Sequence, residues 1–218
     1  MPITNRYQTE SPAINSYDFT DVLLGTSYEL MYGGQVNELS ASSGAILRNF
    51  VFDSDNLHNG QYTVFTPNAG AGYLRLIDYD FDIELGNNVI LEGEALCNFT
   101  FSFYNATGGA EPSTVYVTTE INKWDGTTET FIASGATLQY TKSCPATSLT
   151  EFRLGTKFDV PTTGFKNGET IRLTVKMDNK TAANLSGYFL HDPSSRAIAN
   201  VTDTDSTLKI WLPFKTDI

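Results

Sequence analysis

Apolar and polar positions alternate with a period of two along much of this chain. Thr114 to Trp124 reads TVYVTTEINKW: Val115, Val117, Thr119 and Ile121 share one face, and Tyr116, Thr118, Glu120, Asn122 and Trp124 share the other. Successive side chains of an extended chain point to opposite sides, so this pattern of β-branched and aromatic residues predicts a strand. In Leu96 to Tyr104, Phe99, Phe101 and Phe103 fall on one face. Glu169 to Met177 places Ile171, Leu173, Val175 and Met177 opposite Arg172, Thr174 and Lys176. Thr207 to Phe214 places Leu208, Ile210 and Leu212 together, with Trp211 on the other face. Tyr73 to Leu85 carries Leu74 and Leu76, then changes phase to Phe81, Ile83 and Leu85.

Weaker alternation predicts further strands over 28–32, 45–52, 62–66, 128–134, 137–142, 151–160 and 185–191. Between them stand Gly33-Gly34, Asn59-Gly60, Gly86-Asn87-Asn88, Gly108-Gly109, Asp125-Gly126 and Asn167-Gly168, residue types that tolerate the positive φ of tight turns. Trp124-Asp125-Gly126-Thr127 has the chemistry of a hairpin turn. Helical periodicity is nearly absent; Ser16 to Leu24 is the best candidate, as one or two turns or as extended chain. Residues 1–15 are polar, contain Pro2 and Pro12 and lack periodicity, so they read as an extended arm. Residues 16–218 then form a single domain. Many short strands separated by turns imply an all-β fold, an antiparallel β-sandwich of jelly-roll-like type.

Charge narrows the functions. In 218 residues, 25 acids face 14 bases, for a formal net charge of −11. Such a surface opposes non-specific binding to nucleic acid or to an anionic membrane. No run approaches the eighteen or so apolar residues of a membrane span. Met1 to Glu10 lacks the apolar stretch of a signal peptide, so synthesis in a cytosol is expected. Cys97 lies in an apolar run and reads as core; Cys144 precedes Pro145 and reads as loop. Neither has zinc-ligand spacing, and their pairing stays open. Asn-x-Ser/Thr sequons start at Asn98, Asn105, Asn179, Asn184 and Asn200, and matter only in a secreted chain.

Catalytic chemistry has little to stand on. His58 sits in a turn-like DNLHNGQ and His191 before Asp192-Pro193; neither belongs to a recognisable triad, elbow or phosphate loop. Asp78, Asp80 and Asp82 alternate on one strand face and Glu84 continues the row. Like charges so close repel, so this face is solvated or meets cations. A hydrolase working through two carboxylates has no pair singled out by spacing. Asp53-Ser54-Asp55-Asn56 and Asp203-Thr204-Asp205 lack the glycine and glutamate of a calcium loop and read as turns. No metal or cofactor is called for. Among the 14 Phe, 11 Tyr and 2 Trp, Trp124 beside Asp125 is the combination suited to stacking on a sugar and accepting from its hydroxyls, and Trp211 suits burial or a subunit contact.

Three segments together carry a resemblance. GTSYELMYGG (25–34) resembles a stretch near the N-terminus of β-rich virion proteins of tailed bacteriophages. GYFLHDPSSR (187–196), followed by LKIWLPFKTDI (208–218), resembles their C-terminal end, where a Phe/Leu-rich strand, an Asp-Pro turn and a closing strand ending in Pro-Phe recur. The segments cover a small part of the chain and none is catalytic. The resemblance implies a non-enzymatic jelly-roll subunit on the outside of a virion, assembled in the host cytoplasm, as capsid decoration, head fibre or a similar component. Its implied partners are capsid or other virion proteins and further copies of itself, a trimer by family analogy. The residues expected to make these contacts are Ile3, Tyr7, Ile14 and Tyr17 in the arm, and Trp211 and Phe214 in the closing strand. The alternative is a carbohydrate- or receptor-binding sandwich using Trp124 and Asp125 on a host glycan.

Overall fold

The computed structural model describes residues 26–40, 46–53, 62–65, 73–106, 108–181, 185–190 and 208–215. The arm with Ile3, Tyr7, Ile14 and Tyr17, the helix candidate, both histidines, and Asp55, Asp203 and Asp205 lie outside these residues. The described residues form β1 (Thr26–Ser40), β2 (Ile46–Asp53), β3 (Tyr62–Phe65), β4 (Leu74–Glu84), β5 (Val89–Asn105), β6 (Glu111–Trp124), β7 (Glu129–Ala136), β8 (Tyr140–Cys144), β9 (Ser148–Phe165), β10 (Thr170–Thr181), β11 (Leu185–Leu190) and β12 (Lys209–Lys215). The fold is all-β, with two antiparallel sheets packed as a sandwich.

β5 organises one sheet. It pairs along its length with β9 on one edge; on the other it takes β12 near its start and β11 near its end. β3 extends β11, and β1 extends β12. The second sheet runs β4, β10, β6, with β7 and β8 sharing the far edge of β6. The β1–β2 hairpin carries the path from one sheet to the other. There β2 meets β4 in parallel, with Phe50 opposite Phe81 and Val51 opposite Asp82.

The alternation read from the sequence fills the space between the sheets. Phe99, Phe101 and Phe103 from β5 meet Phe152 from β9, Phe189 from β11, and Val115, Val117, Ile171, Leu173, Val175 and Met177 from the opposite sheet. Phe101 stacks on Phe189 at 4.8 Å between centroids, and Phe103 meets Phe152 edge-on at 5.1 Å. Each such buried ring contributes roughly 1.5–3 kcal/mol. The phase change in β4 is a bulge: Met177 pairs with Ile77 but Asp178 pairs with Arg75, leaving Leu76 as the extra residue.

Gly33-Gly34 is corrected from a turn to mid-strand, inside β1. A Cβ on Gly33 would lie 2.6 Å from Leu208 Cδ2 and 3.0 Å from Phe81 Cε1, so the glycine serves close packing. Cys144 is corrected from loop to the end of β8, where it is buried; Cys97 is buried in the core as expected, and both thiols are free. The sequons at Asn105 and Asn179 are buried as well. Asn105 Nδ2 donates to the carbonyls of Gly109 and Cys144, and Asn179 Nδ2 donates to Ser113 Oγ and the Thr114 carbonyl.

Candidate binding surfaces

The closing strand β12 lies between β1 and β5, and its side chains divide by parity. Ile210 and Leu212 join the core. Trp211 therefore points outward, half-buried. Its cross-strand partners are Leu30 on β1 and Leu96 on β5. The row continues to Lys157 on β9, whose ammonium pairs with Glu94. Leu30 is buried, whereas Leu96 is 37% exposed. The result is an apolar row across three strands on the outer face of the sheet, bounded on one side by an ion pair. Phe214 does not share it. Phe214 has the parity of Ile210 and Leu212 and packs against the core, opposite Leu91 once the register against β5 has shifted. The structure thus separates the two aromatics of the closing strand.

The outer face of the other sheet is charged, and the acidic row of β4 meets cations there. Arg172 on β10 stands opposite Asp82. Its Nε donates to Asp82 Oδ1 and its Nη2 to Oδ2, both at 2.7 Å, while Nη1 donates to Glu129 Oε2 at 2.8 Å. Asp80 Oδ2 is 3.8 Å from the same guanidinium, and Asp80 Oδ1 accepts from Thr174 Oγ1 at 2.6 Å. Burial, offset in part by Thr174 and Arg172, raises the Asp80 carboxyl above the ordinary aspartate range. Hydrogen bonds to Asp82, helped by the one to Glu129, outweigh burial and hold the Arg172 guanidinium firmly protonated. Lys176 Nζ donates to Glu120 at 2.6 Å, and Arg75 grips Asp178 through two bonds of 2.9 Å. The grouping neutralises like charges on neighbouring strands.

Trp124 and Asp125 fall at the end of this face. The Arg172 guanidinium sits over the Trp124 ring at 4.9 Å, which gives that face of the indole a cationic cover. Asp125 is the turn residue of the β6–β7 hairpin. Its Oδ1 accepts from the Thr127 N–H, the Thr127 hydroxyl and the Thr128 N–H at 2.7–2.9 Å, and these bonds, the Thr128 one first, hold its carboxyl below the ordinary range. Gly126 supplies the positive φ of 96°. The pair expected to take a sugar is thus engaged within the protein, the ring by Arg172 and one carboxylate oxygen by the turn.

Sequence reasoning did not single out two shallow cavities on the outer faces. One, of about 380 Å³, is lined by Asn98, Thr100, Arg153, Gly155 and Lys209 among others. The other, of about 250 Å³, is lined by Tyr73, Tyr116, Gln139 and Asp178. Neither has a local sequence signal, because each draws its residues from distant parts of the chain brought together by strand pairing. Among the described residues, no group of three His, Cys, Asp or Glu is placed to hold a metal ion.

No protein-family model matches the chain. No curated protein matches it either. Among solved structures, it is similar to a CocE/NonD family hydrolase from Staphylococcus aureus, with 11% identity over 88% of this chain and 37% of that one, and a TM-score of 0.48. It is similar to an aminopeptidase from a marine sediment Thaumarchaeota archaeon, with 8% identity over 84% of this chain and 37% of that one, also at a TM-score of 0.48. It is also similar to a chain in the structure of infectious bursal disease virus strain Gx, with 7% identity over 88% of this chain and 43% of that one, at a TM-score of 0.26. The chain spans about 37% of the length of the hydrolase and the aminopeptidase.

Proposed function

We propose that this chain is a non-enzymatic structural subunit of a tailed-phage particle, displayed on its outer surface as capsid decoration, head fibre or a similar component. It works by protein–protein contact, including contact with further copies of itself. The observation that carries the contact is the outward Leu30–Trp211–Leu96 row on the closing strand. A half-buried tryptophan beside an exposed leucine is the kind of anchor that a partner surface desolvates. The particle is supplied by the resemblance of residues 25–34, 187–196 and 208–218 to β-rich virion proteins. The net charge of −11 suits an outer surface away from packaged nucleic acid.

Immunogold labelling of intact particles with an antibody against the folded chain tests the location. Label on the outer surface of undisrupted particles is expected. Particles that label only after disruption, or not at all, overturn the proposal.

A further inference from the structure

The smaller cavity has the chemistry of a site. Asp178 on β10 stands opposite Tyr116 on β6 and Arg75 on β4, so pairing alone sets an aromatic, a carboxylate and a guanidinium in one row across three strands. The connection from β7 to β8 delivers Gln139 beside this row. It is pinned to β6 by two hydrogen bonds, Thr137 N to the Val117 carbonyl at 2.8 Å and Val117 N to Thr137 Oγ1 at 3.0 Å. Tyr73, next to the first residue of β4, completes the lining and is 44% exposed. The cavity of about 250 Å³ is slightly below the range of drug-sized pockets, which suits a ligand of one ring.

Two tyrosines and a carboxylate also describe a cage for an ammonium ion. Arg75 decides against that reading. Its guanidinium binds both oxygens of Asp178 at 2.9 Å, so the negative charge is already compensated and a second cation would be repelled. An anion is disfavoured by the carboxylate itself. What remains are the outer lone pairs of Asp178, held in a fixed orientation, the carboxamide of Gln139 with both donors and acceptor, and tyrosine surface for stacking. A neutral ring bearing adjacent hydroxyls matches all three. We infer that the depression formed by Tyr73, Tyr116, Gln139 and Asp178 is a binding site for a neutral saccharide, with Asp178 and Gln139 receiving a hydroxyl pair and tyrosine surface taking an apolar sugar face. This site is separate from the Trp211 row and from Trp124.

The test is saturation-transfer NMR on the full chain with the methyl glycosides of glucose, galactose, mannose and N-acetylglucosamine, with tetramethylammonium as the cationic control. Transfer to the ring protons of at least one glycoside is expected, with affinity about tenfold weaker in Tyr73→Ala and in Gln139→Ala. Both side chains are exposed, and unchanged thermal unfolding verifies that these variants are folded. Arg75→Gln should let tetramethylammonium bind where it does not bind the parent chain. Transfer to no glycoside, transfer unaffected by both cavity variants, or binding of tetramethylammonium alone by the parent chain would each overturn the inference.

Discussion

Arg172 holds Asp82 by two parallel hydrogen bonds of 2.7 Å, from the middle strand of three to its neighbour, and spends its remaining nitrogen on Glu129. One guanidinium therefore ties β4, β10 and β7 together on the outer face of the sheet. Its side chain is mostly buried, under the Trp124 ring's shelter. Arg172→Ala leaves Asp80, Asp82 and Glu129 facing one another without a cation. Urea unfolding should show a loss of about 2 kcal/mol, between the values of exposed and buried pairs. Arg172→Lys should recover only part of it, because an ammonium cannot form the fork.

Asp80 gives a pH dependence with a definite sign. Burial raises its carboxyl in the folded state, so its contribution to stability is fully present below the unfolded value and lost as pH rises through the folded one. Asp80→Asn never ionises. The stability of this variant relative to the parent chain should therefore increase from about pH 3 to about pH 7, as followed by chemical denaturation across that range. A difference independent of pH would mean that burial does not govern this carboxyl.

Asp125 acts in the opposite sense. Hydrogen bonds from Thr128 and Thr127 depress its carboxyl, so its contribution is present above the unfolded value and lost as pH falls through the folded one. Asp125→Ala should lower the melting temperature at neutral pH more than Asp125→Asn, which keeps an acceptor for the same N–H groups. The gap between the two variants is read by differential scanning calorimetry.

Gly33→Ala should destabilise by about 1–3 kcal/mol although its φ is unstrained. The added methyl would meet Leu208 and Phe81, both fully buried and without room to retreat. Equilibrium denaturation measures this directly.

The two thiols should be silent. Cys97 and Cys144 are buried, and burial pushes both thiols up from their ordinary value. A thiol-specific reagent such as dithionitrobenzoate should react with neither in the folded chain and with both after denaturation.

Strand positions were readable because a half-buried strand writes its own period into the sequence. Even the bulge at Leu76 shows there, as the phase change between Leu76 and Phe81. Gly33 misled because a glycine needed for close packing looks the same as one needed for a turn. Strand length was harder. β9 runs over Ser148–Phe165, well beyond the predicted 151–160, because its ends are held by pairing to β5 rather than by their own alternation. The row of Asp78, Asp80 and Asp82 was visible, but Arg172, the cation that meets Asp80 and Asp82, lies some ninety residues away on β10 and reaches them only through strand pairing. For the surfaces, parity is enough: it turns Trp211 outward and puts Phe214 with Ile210 and Leu212 on the core side, although their partners on other strands carry no local signal.

The outward row at Trp211 is proposed to make subunit contacts. Light scattering coupled to size exclusion, on the parent chain and on Trp211→Ser, tests it most directly. A parent species at a multiple of 24.0 kDa, three-fold for a trimer, and a folded Trp211→Ser variant at 24.0 kDa are expected. A parent chain that stays at 24.0 kDa at every concentration, or a variant that keeps the parent's mass, would contradict it.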